Sequence, residues 1–313
     1  MTRRLVLGTR GSDLARAQTA MVERALRASG IDFEIAIEII TTSGDEKSGR
    51  SPDPVDRHAG RKGMFTAEIE RALFERRIDV AVHSAKDLPS EATPGLAVCA
   101  ALPRAHVEDV FISKTSDDLR ALPLHATVAT GSVRRQHQLR ALRPDLSIPD
   151  LRGNVPTRLR KLTTNAWDGI ILARAGLERL GFAVERGELL FEGHTLRSAI
   201  LSADDFTPAG GQGIVALQVR SDDEHARASV QRINDGESLR CLRAEREFLR
   251  LLQGDCGTPV GVLARISDGR MEVRAQLFDE GRAEARTAAL QSDGTDDEPE
   301  ALAAKLLELI NGG

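Results

Sequence analysis

Short apolar runs alternate with amphipathic helical stretches along almost the whole chain, and this alternation constrains the fold more than any single motif. Arg4–Leu7, Phe33–Ile40, Ile78–Val82, Leu96–Ala101, Val110–Ile112, Thr127–Ala129, Ile148–Leu151, Gly169–Leu172 and Ile214–Val219 read as strands. Helices are expected from Ser12 to about Ala28, from about Phe65, from near Ser132 and Val155, and from Glu237 to Leu252. Strands near Val260–Ile266, Glu272–Phe278 and Arg286–Leu290 precede a closing helix around Pro299–Ile310. This order predicts an α/β architecture with largely parallel sheets. A chain of 313 residues exceeds the usual size of one core. The expected units are 1–102 plus 214–235, a discontinuous first domain whose strand Ile214–Val219 returns to the first sheet, then 103–213 and 236–313.

Composition excludes several functions. A net charge of −4 is not that of a nucleic-acid coat, and nine Phe with one Trp and no Tyr leave few rings for base stacking. Three cysteines without a CxxC pair fit neither a disulfide scaffold nor a zinc ribbon, and no metal is expected. No run approaches the roughly 18 apolar residues of a membrane span, and the first residues do not read as a signal peptide. A cytoplasmic protein is therefore expected.

The charge is unevenly spread. Residues 130–161 carry eight basic side chains against Asp145 and Asp150, a local +6 that suggests an anionic ligand. Thr130-Gly131-Ser132-Val133-Arg134-Arg135 and Leu151-Arg152-Gly153-Asn154-Val155-Pro156-Thr157-Arg158 each lie where a strand or loop gives way to a helix. Free backbone N–H groups and guanidinium groups can converge at such a junction. Arg140, Arg143 and Arg160 sit at helix-face spacing and read as solvated surface. Carboxylate suits this ligand better than phosphate, because no GxxxxGK[ST] is present and Gly210-Gly211-Gln212-Gly213 lacks GxGxxG spacing.

Two further segments bear chemistry. Val80–Pro89 is a buried-looking strand ending in His83-Ser84-Ala85-Lys86-Asp87, where Asp87 could stabilise a cation or move a proton. His83 reads more readily as a satisfied core histidine than as a catalyst. Cys256 lies in the loop Gln253-Gly254-Asp255-Cys256-Gly257-Thr258-Pro259, so it is either a reachable nucleophile or a spare loop thiol. Cys99 and Cys241 look like buried fillers. The Gly-, Ser- and Pro-rich stretch Thr41–Gly63 is either a lid or a plain surface loop.

Taken in order, these motifs resemble the porphobilinogen deaminase family over essentially the whole chain. They run from Gly8-Thr9-Arg10-Gly11-Ser12-Asp13-Leu14-Ala15 with Gln18, through Gly63-Met64-Phe65 and His83–Pro89, to Gly131-Ser132-Val133-Arg134-Arg135-Gln136 and Leu151–Val155. Ala175-Gly176-Leu177 with Arg179, Gly211-Gln212-Gly213 and Gly254-Asp255-Cys256 complete them. The resemblance implies three domains, the first two periplasmic-binding-protein-like with the active site between them, the third a small α+β domain. It implies a dipyrromethane cofactor held by a thioether to Cys256, with Asp87 as the catalytic carboxylate. Four porphobilinogen units would be joined head to tail onto that primer, with release of hydroxymethylbilane by hydrolysis.

By the same resemblance, Ser84, Lys86, Thr130, Ser132, Arg134 and Arg135 meet the cofactor. Arg10, Ser12, Gln18, Lys62, Phe65, Arg152, Arg158, Arg179 and Gln212 meet substrate, and the Thr41–Gly63 stretch is the family's mobile loop. A monomer is expected. The chain departs from the family pattern at Ala85, where Met is usual, in Ala105–Asp109, and at Gly131, where Ser is common. The rival readings are a carboxylate-binding module without catalysis, and a Cys–His hydrolase built on Cys256 and His83.

Overall fold

A computed structural model describes residues 4–30, 33–41, 66–184, 187–253, 258–279, 284–292 and 298–312. Three sheets organise them. The first takes the order β2-β1-β3-β10-β4, with β1 (Arg4–Arg10), β2 (Glu34–Ile40), β3 (Val80–Ser84), β4 (Leu96–Ala101) and β10 (Val215–Arg220). β1 runs parallel to β2 and β3, whereas β10 is antiparallel to both of its neighbours. All six residues of β10 are buried, Gln218 and Arg220 included, which fits the otherwise apolar look of Ile214–Val219. Helix α1 (Asp13–Ala28) covers this sheet through Val22 and Leu26, which pack with Leu5, Leu7, Val80 and Leu217. Ser12 starts α1 by accepting a hydrogen bond from Ala15 N, and Asp13 and Arg27 complement the helix dipole at its two ends. Helix α2 (Ala67–Phe74) buries Ile69 and Leu73 on the same sheet.

The second sheet has the order β6-β7-β5-β9-β8, from β5 (Asp109–Ser113), β6 (Val128–Ala129), β7 (Gly169–Ala173), β8 (Glu188–Phe191) and β9 (His194–Leu201). Only β6 and β7 are parallel here. β5 is buried on both faces: Val110 and Ile112 join one apolar cluster, Phe111 the other. Helices α3 (Val133–Leu142), α4 (Val155–Thr164) and α5 (Arg174–Arg179) belong to this layer. Ser132 caps α3, and Asn154 caps α4 by accepting from Thr157 N at 2.9 Å, with Pro156 in the first turn.

Helix α6 (Glu224–Gln231) returns to the first layer, and α7 (Gly236–Leu251) leads into the third. There β11 (Val260–Ser267), β12 (Arg270–Phe278) and β13 (Ala285–Gln291) form an antiparallel meander against α7 and α8 (Pro299–Gly312). Phe248, Val262, Val273 and Leu306 are at its centre.

Two expectations are corrected. The sheets are mixed rather than largely parallel, because a 3.6 or 2.0 periodicity carries no strand direction. Ile148–Leu151 is not a strand: only Thr127 and Ser147 make an isolated bridge, and the chain then runs as a loop toward α4. The β8–β9 hairpin was not expected.

Candidate active site

The carboxyl end of β3 passes into a short 3-10 turn, Ala85–Asp87, which Leu88 N closes on Ala85 O at 3.2 Å. The turn is pressed against Gly211. A side chain there would bring Cβ within 2.9 Å of Lys86 N, and φ is +76°, so only glycine fits. Gln212 is thereby fixed beside Lys86, whose Nζ donates to Gln212 Oε1 at 3.5 Å. Across the turn, Gln18 and Ser84 exchange hydrogen bonds at 2.8 and 3.1 Å. Where Leu14 of α1 meets Gly176 of α5, a narrow crevice opens between the first two layers. Gln18, Ser84, Lys86, Arg179 and Gly211 line it.

From the second layer, Arg135 and Arg158 approach the same turn. Burial, helped by the Arg135 charge, pulls the Lys86 ammonium down to about 8 against the opposing pull of Asp87 and Asp109. Burial pulls the Arg158 guanidinium down to about 10, again with Arg135 against it and Asp87 in its favour. Exposed Asp87 thus faces cations from both layers. Arg179 donates to Gly213 O at 2.6 Å, and burial lowers its pKa too.

Other arginines have different tasks. Arg134 is buried behind Asp109: its Nη1 donates to Gln138 Oε1 and Thr207 O, and its Nη2 to Asp109 Oδ2, all at 2.8 Å. Arg135 Nη2 takes the other Asp109 oxygen at 2.7 Å, which Gln212 Nε2 shares at 2.8 Å. Burial alone would raise the Asp109 carboxyl, but the two guanidinium groups hold it well below the usual range. Sequence reasoning missed Asp109 as a site residue. A signal was available, since an acid opens the apolar strand Val110–Ile112 ahead of two adjacent arginines.

Arg152 points to Asp150 at 2.6 Å and stays partly exposed. Arg158 Nε and Lys161 Nζ donate to Gly153 O and Arg152 O, bracing the loop that carries Arg152. Thr130 is buried and accepts from Ser132 N, and Ser132 caps the helix bearing Arg134 and Arg135. Ser12 caps α1, and Arg10 ends β1. Cys256, Lys62 and Phe65, with nearly all of the Thr41–Gly63 stretch, lie outside the described residues.

Gly131 gives one departure a physical setting: a Cβ would come within 2.6 Å of Leu151 O. The two arginine-bearing segments therefore approach too closely for a side chain in this chain. His83 is a satisfied core residue, with Nε2 2.9 Å from Gln218 Oε1. Burial lowers its pKa to about 4 and keeps it neutral.

The donor set has a clear preference. The Nε atoms of Arg134, Arg135 and Arg179 are buried without hydrogen-bond partners among the described residues. Clustered cations that depress one another suit a ligand bearing several carboxylates. The residues present fit a polycarboxylate cofactor such as a dipyrromethane. Together with the crevice between two mixed sheets, they define a two-layered α/β protein for a polyanionic organic ligand.

Comparison with known proteins narrows that class. A profile described as "Porphobilinogen deaminase, dipyromethane cofactor binding domain" matches residues 5–228, and "Porphobilinogen deaminase, C-terminal domain" matches 239–311. The porphobilinogen deaminase of Roseiflexus sp. (strain RS-1) is 40% identical over 314 residues, covering 100% of this chain and 98% of that one. That of Nitrobacter winogradskyi is 42% identical over 318 residues, covering 98% and 96%. Among solved structures, the methionine binding protein MetQ aligns at a TM-score of 0.45 and 12% identity, over 75% of this chain and 92% of that one. The chain belongs to the porphobilinogen deaminase family.

Proposed function

We propose that this chain deaminates porphobilinogen and joins four units head to tail onto a dipyrromethane primer, releasing hydroxymethylbilane. The observation that carries the reading is that the Asp87 charge acts on both Lys86 and the second-layer cation Arg158, on the turn beside a crevice lined by Lys86 and Arg179. Loss of ammonia from the protonated aminomethyl group leaves a cation on the substrate pyrrole. The Asp87 carboxylate, fixed on a turn that Gly211 supports, stabilises that charge as it develops. The primer, when bound, supplies the pyrrole carbon onto which the first unit is joined. Its attachment at Cys256 rests on the family motif Gly254-Asp255-Cys256.

The remaining residues bind and orient. Arg135, Arg158, Arg179 and Lys86 present donors to acetate and propionate groups, and the family motifs add Arg10 and Arg152 to them. Asp109 and Gln212 keep Arg135 and Arg134 in place, and Gln18 orients Ser84. Each added unit brings two more carboxylates, so the excess of cations over acids suits a lengthening chain.

The three sheets support a division into 1–102 plus 214–235, 103–213 and 236–313. We also infer a cytoplasmic monomer. No helix among the described residues is long and apolar enough to cross a membrane, and Cys99 and Cys241 are free thiols, as a reducing compartment would keep them. The reading is tested by incubating the purified protein with porphobilinogen and following substrate loss, ammonia and hydroxymethylbilane together. One ammonia per porphobilinogen and one tetrapyrrole per four are expected. Binding without ammonia release would leave only the carboxylate-binding module.

A further inference from the structure

A second cavity lies between the first layer and α7, and shares no lining residue with the crevice. Its apolar wall is Leu88, Pro89, Leu96 and Val98. Its polar groups are Glu70, Glu91, Thr93, Gln218 and Arg246.

These polar groups are unequally satisfied. Glu70 accepts from both Thr93 Oγ1, at 2.9 and 3.0 Å, and Gln218 Nε2, at 2.9 Å. Gln218 turns its carbonyl oxygen to His83, so both ends of its amide are engaged. Arg246 is different: its Nη1 is buried and has no hydrogen-bond partner among the described residues. A buried unpaired guanidinium N–H costs free energy until it meets an acceptor. Burial lowers the Arg246 pKa, and the fields of Glu70 and Glu91 offset part of that fall. Glu91 is exposed at the rim, and its charge acts on both Arg246 and Arg250.

We propose that this cavity binds a small zwitterion, a carboxylate and an ammonium joined by an apolar stem. The carboxylate accepts from the edge of the Arg246 guanidinium that lines the cavity, the ammonium faces Glu91, and the stem packs on Leu88, Pro89, Leu96 and Val98. A simple anion would meet the two glutamates, and a simple cation would leave Arg246 unpaired. Only a ligand with both charges satisfies both ends. The site stands apart from the proposed reaction, and its test reads binding rather than turnover.

The probe is the series of ω-amino acids from glycine to ε-aminocaproate, titrated calorimetrically into the full-length protein, with caproate and hexylamine as one-ended controls. At least one member should bind, with either control weaker by about tenfold or more. Arg246→Met and Glu91→Gln should each weaken it by a similar factor, and Ala92→Phe should fill the cavity and abolish binding. All three variants should retain porphobilinogen turnover. Glu91 and Ala92 are exposed, so these two replacements keep the test intact if Arg246→Met fails to fold. Absence of binding at about 10 mM for every member would overturn the proposal. So would binding that survives Glu91→Gln and Ala92→Phe, which would place the probe in the other crevice.

Discussion

Arg135 donates through Nη2 to Asp109 Oδ1 at 2.7 Å, with both side chains buried. This contact sets the direction of a guanidinium whose charge is felt by both Lys86 and Arg158. Arg134 occupies the other oxygen, so one carboxylate organises two adjacent arginines and, through Gln212, the turn beside Lys86.

Asp109→Asn should therefore be costly. Removing one partner of a buried ion pair leaves uncompensated charge, typically at about 3–5 kcal/mol. Here two guanidinium groups lose their partner together, and urea unfolding should show a loss of that order. The pH dependence follows from the depressed Asp109 pKa: its stabilisation is full above the ordinary carboxylate value of about 3.9 and is lost as pH falls below it. Acid titration of stability should be shallower in Asp109→Asn than in the parent. Identical acid profiles would deny Asp109 this role.

Arg143→Leu should destabilise the protein, against its appearance as a helix-face residue. The side chain grips Asp145 through Nε at 2.7 Å and Nη2 at 2.8 Å. Its Nη atoms also hold the carbonyls of Leu119, Arg120, Leu122 and Pro123. Arg140, exposed on the same helix, is the control and should change stability by no more than about 0.5 kcal/mol. Melting curves showing equal effects at the two positions would count against the difference.

The contrast between Arg140 and Arg143 marks how far the sequence could be read. Caps at Ser12, Ser132 and Asn154 and the apolar run of β10 depend on local chemistry, and these elements fall where expected. The β8–β9 hairpin escaped notice because β9 carries His194, Thr195, Arg197 and exposed Ile200 on a strand with one covered face. What Arg143 touches depends on residues some twenty positions earlier, which spacing along a helix cannot reveal. Asp109 is the same case within the site. Its partners are about 25 and 103 residues away, and only tertiary folding brings them together.

Asp87→Asn should keep the fold and lose turnover by about a hundredfold or more, the usual effect of removing one stabilising group from a developing charge. The side chain is exposed on its turn, so packing is spared. Normal consumption of porphobilinogen by a folded Asp87→Asn protein would remove Asp87 from the mechanism.

Lys86 should make the cofactor-free protein pH-sensitive on the alkaline side. Its folded pKa, about 8, lies below the ordinary lysine value of about 10.4. Between those values the unfolded chain holds a proton that folded Lys86 has released, so this residue's contribution to stability rises with pH. Comparison of Cys256→Ser with Cys256→Ser/Lys86→Met by urea unfolding at pH 8 and pH 10 isolates the effect. The single variant should gain stability relative to the double one as pH rises. Parallel profiles would show that Lys86 is not held in this cluster.

Cys256 is the position that tests the reading most directly. The other two thiols are poor nucleophiles: burial pushes Cys241 up to about 12, and burial also raises Cys99. A primer must survive every round of extension and the final hydrolysis, and a thioether is stable to water where a thiol ester is not. Anchored in the cation-lined crevice, it also makes each addition intramolecular. The protein purified from a tetrapyrrole-making host should therefore be heavier than its sequence by one dipyrromethane, with the added mass on the peptide containing Cys256. Cys256→Ser should be unmodified and inactive. It should also be less stable, because Arg135 then disfavours the charges of Lys86 and Arg158 without bound carboxylates. Cys99→Ser and Cys241→Ser should keep the added mass, the latter with some loss of packing in the core around Phe248. Intact-mass measurement and peptide mapping decide the matter: an active but unmodified protein, or the adduct on Cys99 or Cys241, would refute the assignment.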